Sequence, residues 1–212
     1  DTYGPECIAL TTGTGRHHLA QFWRFGNVLG TPNAMSSGAL VCLGPRVNAG
    51  MFTAGVFAGV DYYGDVKPAG ILVWGANPAI SGADGELQWF IKDAVKRGTP
   101  LIVVDPLPNE LTRNAACWLK VRPGTDGALA LGILNVIISE ELYDKDFVEN
   151  WTVGFQELKE RVKEHTPDRV SEITWVPGED ILKAARLIAS IKPLSLEWGC
   201  AIEQTPNSFQ TC

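Results

Sequence analysis

The sequence predicts an α/β protein built on a doubly wound, mostly parallel sheet, and three observations predict it. Short uninterrupted apolar runs at Gly70–Trp74 (GILVW) and Leu101–Val104 (LIVV) have the length and composition of strands buried on both faces. Amphipathic stretches of helical length, Ala83–Arg97 and Ala128–Ile138, follow them. Turn formers or polar residues close each run, so strands and helices alternate as parallel sheets with crossover helices require.

The elements follow in chain order. Glu6–Thr11 (ECIALT) reads as a strand, followed by the turn Gly13-Thr14-Gly15 and an amphipathic stretch from His17 to Val28. Residues 30–38 (GTPNAMSSG) are rich in turn formers and read as a loop. After Cys42, Arg46–Val60 has helical length but is loaded with glycine and alanine. Gly70–Trp74 is a buried parallel strand ended by Gly75. In Ala83–Arg97, Leu87, Phe90, Ile91, Ala94 and Val95 share one face and Gly98 is the stop. Leu101–Val104 is the next strand, closed by Asp105-Pro106, and Trp118–Val121 is a third. Asp126 stands at a helix N-cap position before Ala128–Ile138. Three more helices are expected near Asp144–Trp151, Phe155–Glu164 and Glu179–Ser190, and Leu194–Trp198 closes as a strand ending in Gly199. There are no repeats and no low-complexity linker.

Composition narrows the function. Of 212 residues, 45% are hydrophobic and 20% charged, an ordinary globular balance with ample material for a core. The net charge of −6 argues against a nucleic-acid partner, which needs a basic footprint. No apolar run approaches the roughly 18–20 residues that cross a bilayer. The chain opens at Asp1 without Met and runs at once toward a strand, so an internal fragment is expected.

The five cysteines, at 7, 42, 117, 200 and 212, form no CxxC pair and match no zinc or iron–sulfur spacing. Reduced thiols are expected, with Cys7 and Cys117 read as small buried hydrophobes.

Open parallel sheets bind ligands at the carboxyl ends of their strands. The informative residues are therefore Gly75-Ala76-Asn77-Pro78, Asp105-Pro106, Arg122-Pro123-Gly124-Thr125-Asp126, and Gly199-Cys200 through Gln204. A carboxylate at a strand end suits a ribose or a base edge, because it accepts several hydrogen bonds. Asp126 is equally readable as a plain N-cap, and Asn77-Pro78 as a turn. The residues alone lead to a nucleotide-binding α/β domain. Gly13-x-Gly15 lacks the third glycine of a dinucleotide fingerprint and adds little.

A set of strings in fixed order carries the reading further: GTPN at 30–33, CLGPR at 42–46, WGANP at 74–78, VVDP at 103–106, RPGTDGALALG at 122–132 and WGCAIEQ at 198–204. The segment ELYDKDFVENWTVGFQELKE, 141–160, belongs with them. Together they resemble the dimethyl sulfoxide reductase family of molybdenum and tungsten enzymes that use molybdopterin guanine dinucleotide. The resemblance implies a Rossmann-like domain over 41–212 that binds the guanine dinucleotide arm, with 1–40 a partial α/β segment of a split domain. It implies that Cys42 is the protein ligand to Mo or W and the catalytic residue; thiolate is a soft donor suited to either metal. A thiol buried in a loop is the plainer alternative. It implies nucleotide contacts from Gly75, Asn77, Ser81, Asp105, Gly124 and Asp126, with Asp126 against guanine. Gly199, Cys200 and Gln204 resemble a segment that approaches the pterin near the metal.

Departures from the family pattern matter as well. Leu107 stands where an Arg usually follows Asp-Pro, Ala115-Ala116 where Ala-Asp is usual, and Leu43 where formate dehydrogenases carry His after the metal ligand. Leucine cannot carry protons, so formate oxidation is disfavoured and oxo-transfer or hydroxylation-type two-electron chemistry is expected. The resemblance further implies a bis-molybdopterin guanine dinucleotide cofactor, a 4Fe-4S cluster in a part outside this chain, a small-molecule substrate and an electron-transfer subunit; on charge and hydropathy, neither nucleic acid nor direct membrane insertion is expected. The isolated chain is expected to be inactive. The compartment, cytoplasm or periplasm, stays open. So do two other readings, a standalone Rossmann-like nucleotide-binding module using NAD or a related ligand, and a non-catalytic structural paralogue.

Overall fold

A computed structural model describes residues 2–13, 18–56, 64–81 and 86–212, with the side chains of residues 39, 40 and 86 set aside. The chain divides into two compact units, Asp1–Ala58 with Cys212, and Gly59–Thr211.

In the first unit a single 3-10 turn, Pro5–Cys7, precedes strand β1, Leu10–Thr12. The expected strand over Glu6–Thr11 is thus shorter and later, because Pro5 opens a helical turn that holds Glu6 and Cys7. Helix α1, Leu19–Leu29, ends on Gly30 in the left-handed conformation. Residues 14–17, including His17 and most of the expected glycine turn, lie outside the described residues. The region expected to be a loop contains β2, Ala34–Ser36, paired in parallel with β1 with Leu10 opposite Ala34. The GTPN string makes that pairing. Thr31 Oγ1 donates to the Ile8 carbonyl at 2.6 Å, Asn33 Nδ2 donates to Glu6 O at 2.6 Å, and Leu10 N donates to Asn33 O at 2.8 Å. Helix α2, Ser37–Val41, and α3, Leu43–Ala54, follow, and α3 ends at Gly55 with φ +71°. The helix expected over Arg46–Val60 therefore begins and ends earlier, and residues 57–60 lie outside the described residues.

The second unit carries a four-stranded sheet of β3, Gly70–Trp74, β4, Leu101–Val104, β5, Cys117–Leu119, and β6, Leu194–Trp198. Every pairing is parallel and the strand order is β5-β4-β3-β6. Three strands occupy the expected residues, and β5 lies one residue earlier than expected and ends sooner. β3 and β4 are buried along their whole length, which is why they read as uninterrupted apolar runs. Between β3 and β4 come the short α4, Pro78–Ser81, and α5, Glu86–Lys96; residues 82–85 lie outside the described residues. Ile91 and Ala94 of α5 pack with Ile71, Val73, Leu101 and Val103 on one face of the sheet. Side chains of this size contribute about 1.5–3 kcal/mol each when fully buried, so this face anchors the strand ends that follow it.

α6, Glu110–Arg113, links β4 to β5 and is capped by Asn109, whose Oδ1 accepts from Leu111 N and Thr112 N. α7, Asp126–Ser139, follows β5. Its N-cap is Thr125, so Asp126 is the first helical residue rather than the cap. α8, Lys145–Trp151, begins where Asp144 Oδ1 accepts from Phe147 N, and α9 spans Phe155–Val162. α10, Pro167–Thr174, was not expected; Thr166 Oγ1 accepts from Arg169 N and Pro167 opens the first turn. α11, Gly178–Ser190, packs on α7, α10 and β5. The short α12, Cys200–Glu203, and α13, Ser208–Thr211, follow β6. The molecule is an α/β protein with parallel sheets. Among the described residues no helix is long and apolar enough to cross a membrane.

Candidate functional site

All strands of the second unit run the same way, so their carboxyl ends meet at one edge of the sheet. That edge brings together most of the residues singled out from sequence. The strand order turns back at β3, and in open α/β sheets the crevice at such a turn-back is where ligands bind. Gly75 follows β3 and Gly199 follows β6 on either side of it.

These two glycines allow the strand ends to close. Gly75 has φ +60° and donates its N–H to Val104 O at 3.0 Å. Gly199 donates to Trp74 O at 2.9 Å, and a Cβ on Gly199 would lie 2.4 Å from Gly75 O. No side chain fits there.

Asn77 lies two residues beyond Gly75. Its carbonyl accepts from Ile80 N and Ser81 N, and from the Ser81 hydroxyl at 3.0 Å. Its side-chain Oδ1 is buried and has no hydrogen-bond partner among the described residues. A buried unmade acceptor costs about 1–3 kcal/mol, so this atom marks a position where a donor from outside the chain is favourable. Ser81 is exposed and uses its hydroxyl proton on Asn77, which leaves its oxygen able to accept.

Asp105, after β4, organises its own turn. Oδ1 accepts from Leu107 N at 2.8 Å and Oδ2 accepts from Asn109 Nδ2 at 3.0 Å. Its backbone N–H donates to Leu119 O, and its carbonyl accepts from Trp118 Nε1. Leu107, the departure noted in the sequence, is an exposed apolar side chain beside this turn.

Gly124, with φ +81° and open space around it, turns the chain into α7. Asp126 then enters the first helical turn, where a negative charge suits the helix dipole. The residue is only 7% exposed, and its Oδ1 accepts from Trp74 Nε1 at 2.8 Å. The bond brings Asp126 to the same edge as Gly75 and Asn77.

Cys200 opens α12 and is exposed, and Gln204 is exposed just beyond it. Glu203, one turn after Cys200, is 2% exposed, and its carboxylate lies within 4.8 Å of the Cys200 sulfur. The sequence places Glu203 within the informative run 199–204 and Trp74 at a strand end, but assigns neither a role of its own. The available signal for Trp74 was its place as the last residue of a buried strand, since a buried indole N–H normally finds an acceptor.

In the first unit, Cys42 sits between α2 and α3, half-buried, with its backbone N–H donating to Gly38 O at 3.3 Å. Leu43, next in sequence, is exposed. All five cysteines are among the described residues and none forms a disulfide. Cys117 is buried as expected, and burial pushes its thiol pKa up, with nearby Lys183 opposing the shift. Cys7 is exposed instead of buried, because it belongs to the surface 3-10 turn and not to a strand.

Comparisons with known proteins agree with this frame. A protein-family profile described as molybdopterin oxidoreductase matches residues 4–205. Acetylene hydratase of Syntrophotalea acetylenica is 39% identical over 209 residues, which cover 97% of this chain and 28% of that protein. Formate dehydrogenase H of Escherichia coli (strain K12) is 31% identical over 215 residues, covering all of this chain and 30% of that enzyme. A solved structure of acetylene hydratase from Pelobacter acetylenicus superposes with a TM-score of 0.81 at 36% identity, over 99% of this chain and 28% of that one. The chain thus spans under a third of the length of these relatives, and it belongs to the molybdopterin oxidoreductase family.

Proposed function

We propose that the chain is part of the catalytic subunit of a molybdenum or tungsten enzyme and holds the guanosine-diphosphate arm of a molybdopterin guanine dinucleotide. The observation that carries this reading is Asn77 Oδ1, a buried acceptor at the carboxyl edge of the parallel sheet with no partner among the described residues. Phosphates offer only acceptors, so this atom suits a ribose hydroxyl or a base N–H. The donor set fits the group on two further grounds. Ser81 and Asp105 retain accepting lone pairs, and Asp126 offers a carboxylate to guanine's N1–H and N2–H edge. Cys42 is the proposed protein ligand to the metal, and Gly199, Cys200 and Gln204 are proposed to border the pterin.

The bound cofactor supplies a metal able to take up or release two electrons; the residues of this chain hold and orient it. Leu43 carries no proton, so a base elsewhere must serve any proton transfer. Oxo-transfer or hydroxylation-type chemistry on a small molecule is the first reading. With it go a second dinucleotide, a 4Fe-4S cluster held outside this chain and an electron-transfer subunit. Hydration of a multiple bond is a second reading, favoured by 39% identity to an acetylene hydratase across nearly the whole chain. In the whole enzyme, Cys42→Ala is expected to abolish turnover while most of the cofactor stays bound, and Cys42→Ser to keep altered activity. Wild-type turnover in the Ala variant would remove Cys42 from the metal. Turnover of the wild type with no electron donor or acceptor present would select hydration.

A further inference from the structure

Trp74 is the last residue of β3, and Asp126 is the first of α7, 52 residues later. Both are buried, at 8% and 7% exposure. The indole Nε1 donates to Asp126 Oδ1 at 2.8 Å, and Oδ2 makes no hydrogen bond among the described residues. A carboxylate oxygen has two accepting sites, so the side chain still offers one on Oδ1 and two on Oδ2.

The bond does more than satisfy two buried groups. A carboxylate that pairs with guanine's N1–H and N2–H must lie in the plane of the base and present both oxygens at once. An aspartate free to rotate about its two side-chain torsions would spend most of its time out of that plane. A donor from another element, fixed in a rigid strand and packed by its own ring, removes that rotation. We infer that Trp74 is the positioning residue that holds the Asp126 carboxylate in the plane of the guanine edge and so sets the preference for guanine over bases that lack the 2-amine. This inference rests on the nucleotide reading above. Trp74 touches neither base nor metal in this account; it acts through Asp126.

The test is calorimetric titration of the whole purified enzyme, freed of its cofactor, with GDP, IDP and ADP. Inosine lacks only the 2-amine, so the GDP-to-IDP affinity ratio reads the second half of the paired contact. The wild type should prefer GDP over IDP by about tenfold, the worth of one charge-assisted hydrogen bond. Trp74→Phe keeps an aromatic ring in β3 and removes the donor, and it should bring that ratio close to one. Site-specific replacement of Trp74 by benzothienylalanine, in which sulfur stands in place of the indole N–H, should do the same with the ring's shape kept, and serves if the Phe variant fails to fold. Asp126→Asn should also abolish the ratio. If either Trp74 variant weakens GDP and IDP equally, or leaves both unchanged, while Asp126→Asn abolishes the preference, the inference is overturned and the nucleotide reading stands. A wild-type chain with no preference for GDP overturns both.

Discussion

The Trp74 indole donates to the Asp126 carboxylate across 52 residues of chain, tying the end of β3 to the first turn of α7. Removing the acceptor with Asp126→Ala leaves a buried N–H unpaired and should cost about 1–3 kcal/mol of stability. Asp126→Asn keeps an acceptor oxygen and loses only the favourable charge at a helix start, about 0.3–1 kcal/mol. Urea unfolding of the two variants should therefore rank Ala well below Asn. Equal losses would mean the bond adds nothing to stability.

Gly199 and Gly124 are both glycines for different reasons. Gly199 has an extended backbone that any residue adopts, but its Cβ would lie 2.4 Å from Gly75 O and 2.8 Å from the Ala76 Cα. Gly124 has φ +81° with nothing near its Cβ position. Gly199→Ala forces backbone apart and should cost about 3 kcal/mol, at the upper end for overpacking. Gly124→Ala meets only conformational strain, about 1 kcal/mol. The reverse order in chemical denaturation would show that the strand ends can separate freely.

Glu140 and Arg186 form a two-pronged contact at 2.7 and 2.9 Å between the C-terminal end of α7 and the body of α11. The Arg186 hydrogen bond holds the Glu140 carboxyl below the usual carboxylate range. A depressed folded-state pKa stabilises above the unfolded value, and that contribution is lost as pH falls through the folded value. Glu140→Gln should thus melt lower than wild type near neutrality, and the gap should close in acid. A gap that is independent of pH would contradict the ion pair.

Thiol reactivity should separate the cysteines. Cys7 and Cys200 are exposed, whereas Cys117 is buried with its pKa pushed up by that burial. Ellman's reagent should modify the first two in the native chain and Cys117 only on unfolding. Rapid native labelling of Cys117, located by mass spectrometry, would mean that the β5 edge opens.

The parts of the fold legible in the sequence are those where one strong local signal decides the structure. β3 and β4 are apolar runs too short for helices, β6 is a short segment closed by Gly199, and Asp144 caps α8 as its residue type suggests. β2 was illegible because Ala34-Met35-Ser36 sits among turn formers and becomes a strand only through pairing with β1. α10 had a readable start in Thr166-Pro167, which was passed over. At the site, the glycines and Asn77 follow from the strand ends. The bond between Trp74 and Asp126, and the burial of Glu203, depend on tertiary contacts that no local pattern encodes.

The most direct test of the nucleotide assignment is the nucleotide released by acid hydrolysis of the whole purified enzyme, measured together with its molybdenum or tungsten. Chromatography should yield GMP, two per metal atom, with GMP sharply reduced in Asp126→Asn while that variant remains folded. Release of CMP or AMP in place of GMP, or full GMP occupancy in the Asn variant, would contradict guanine recognition by Asp126 at this sheet edge.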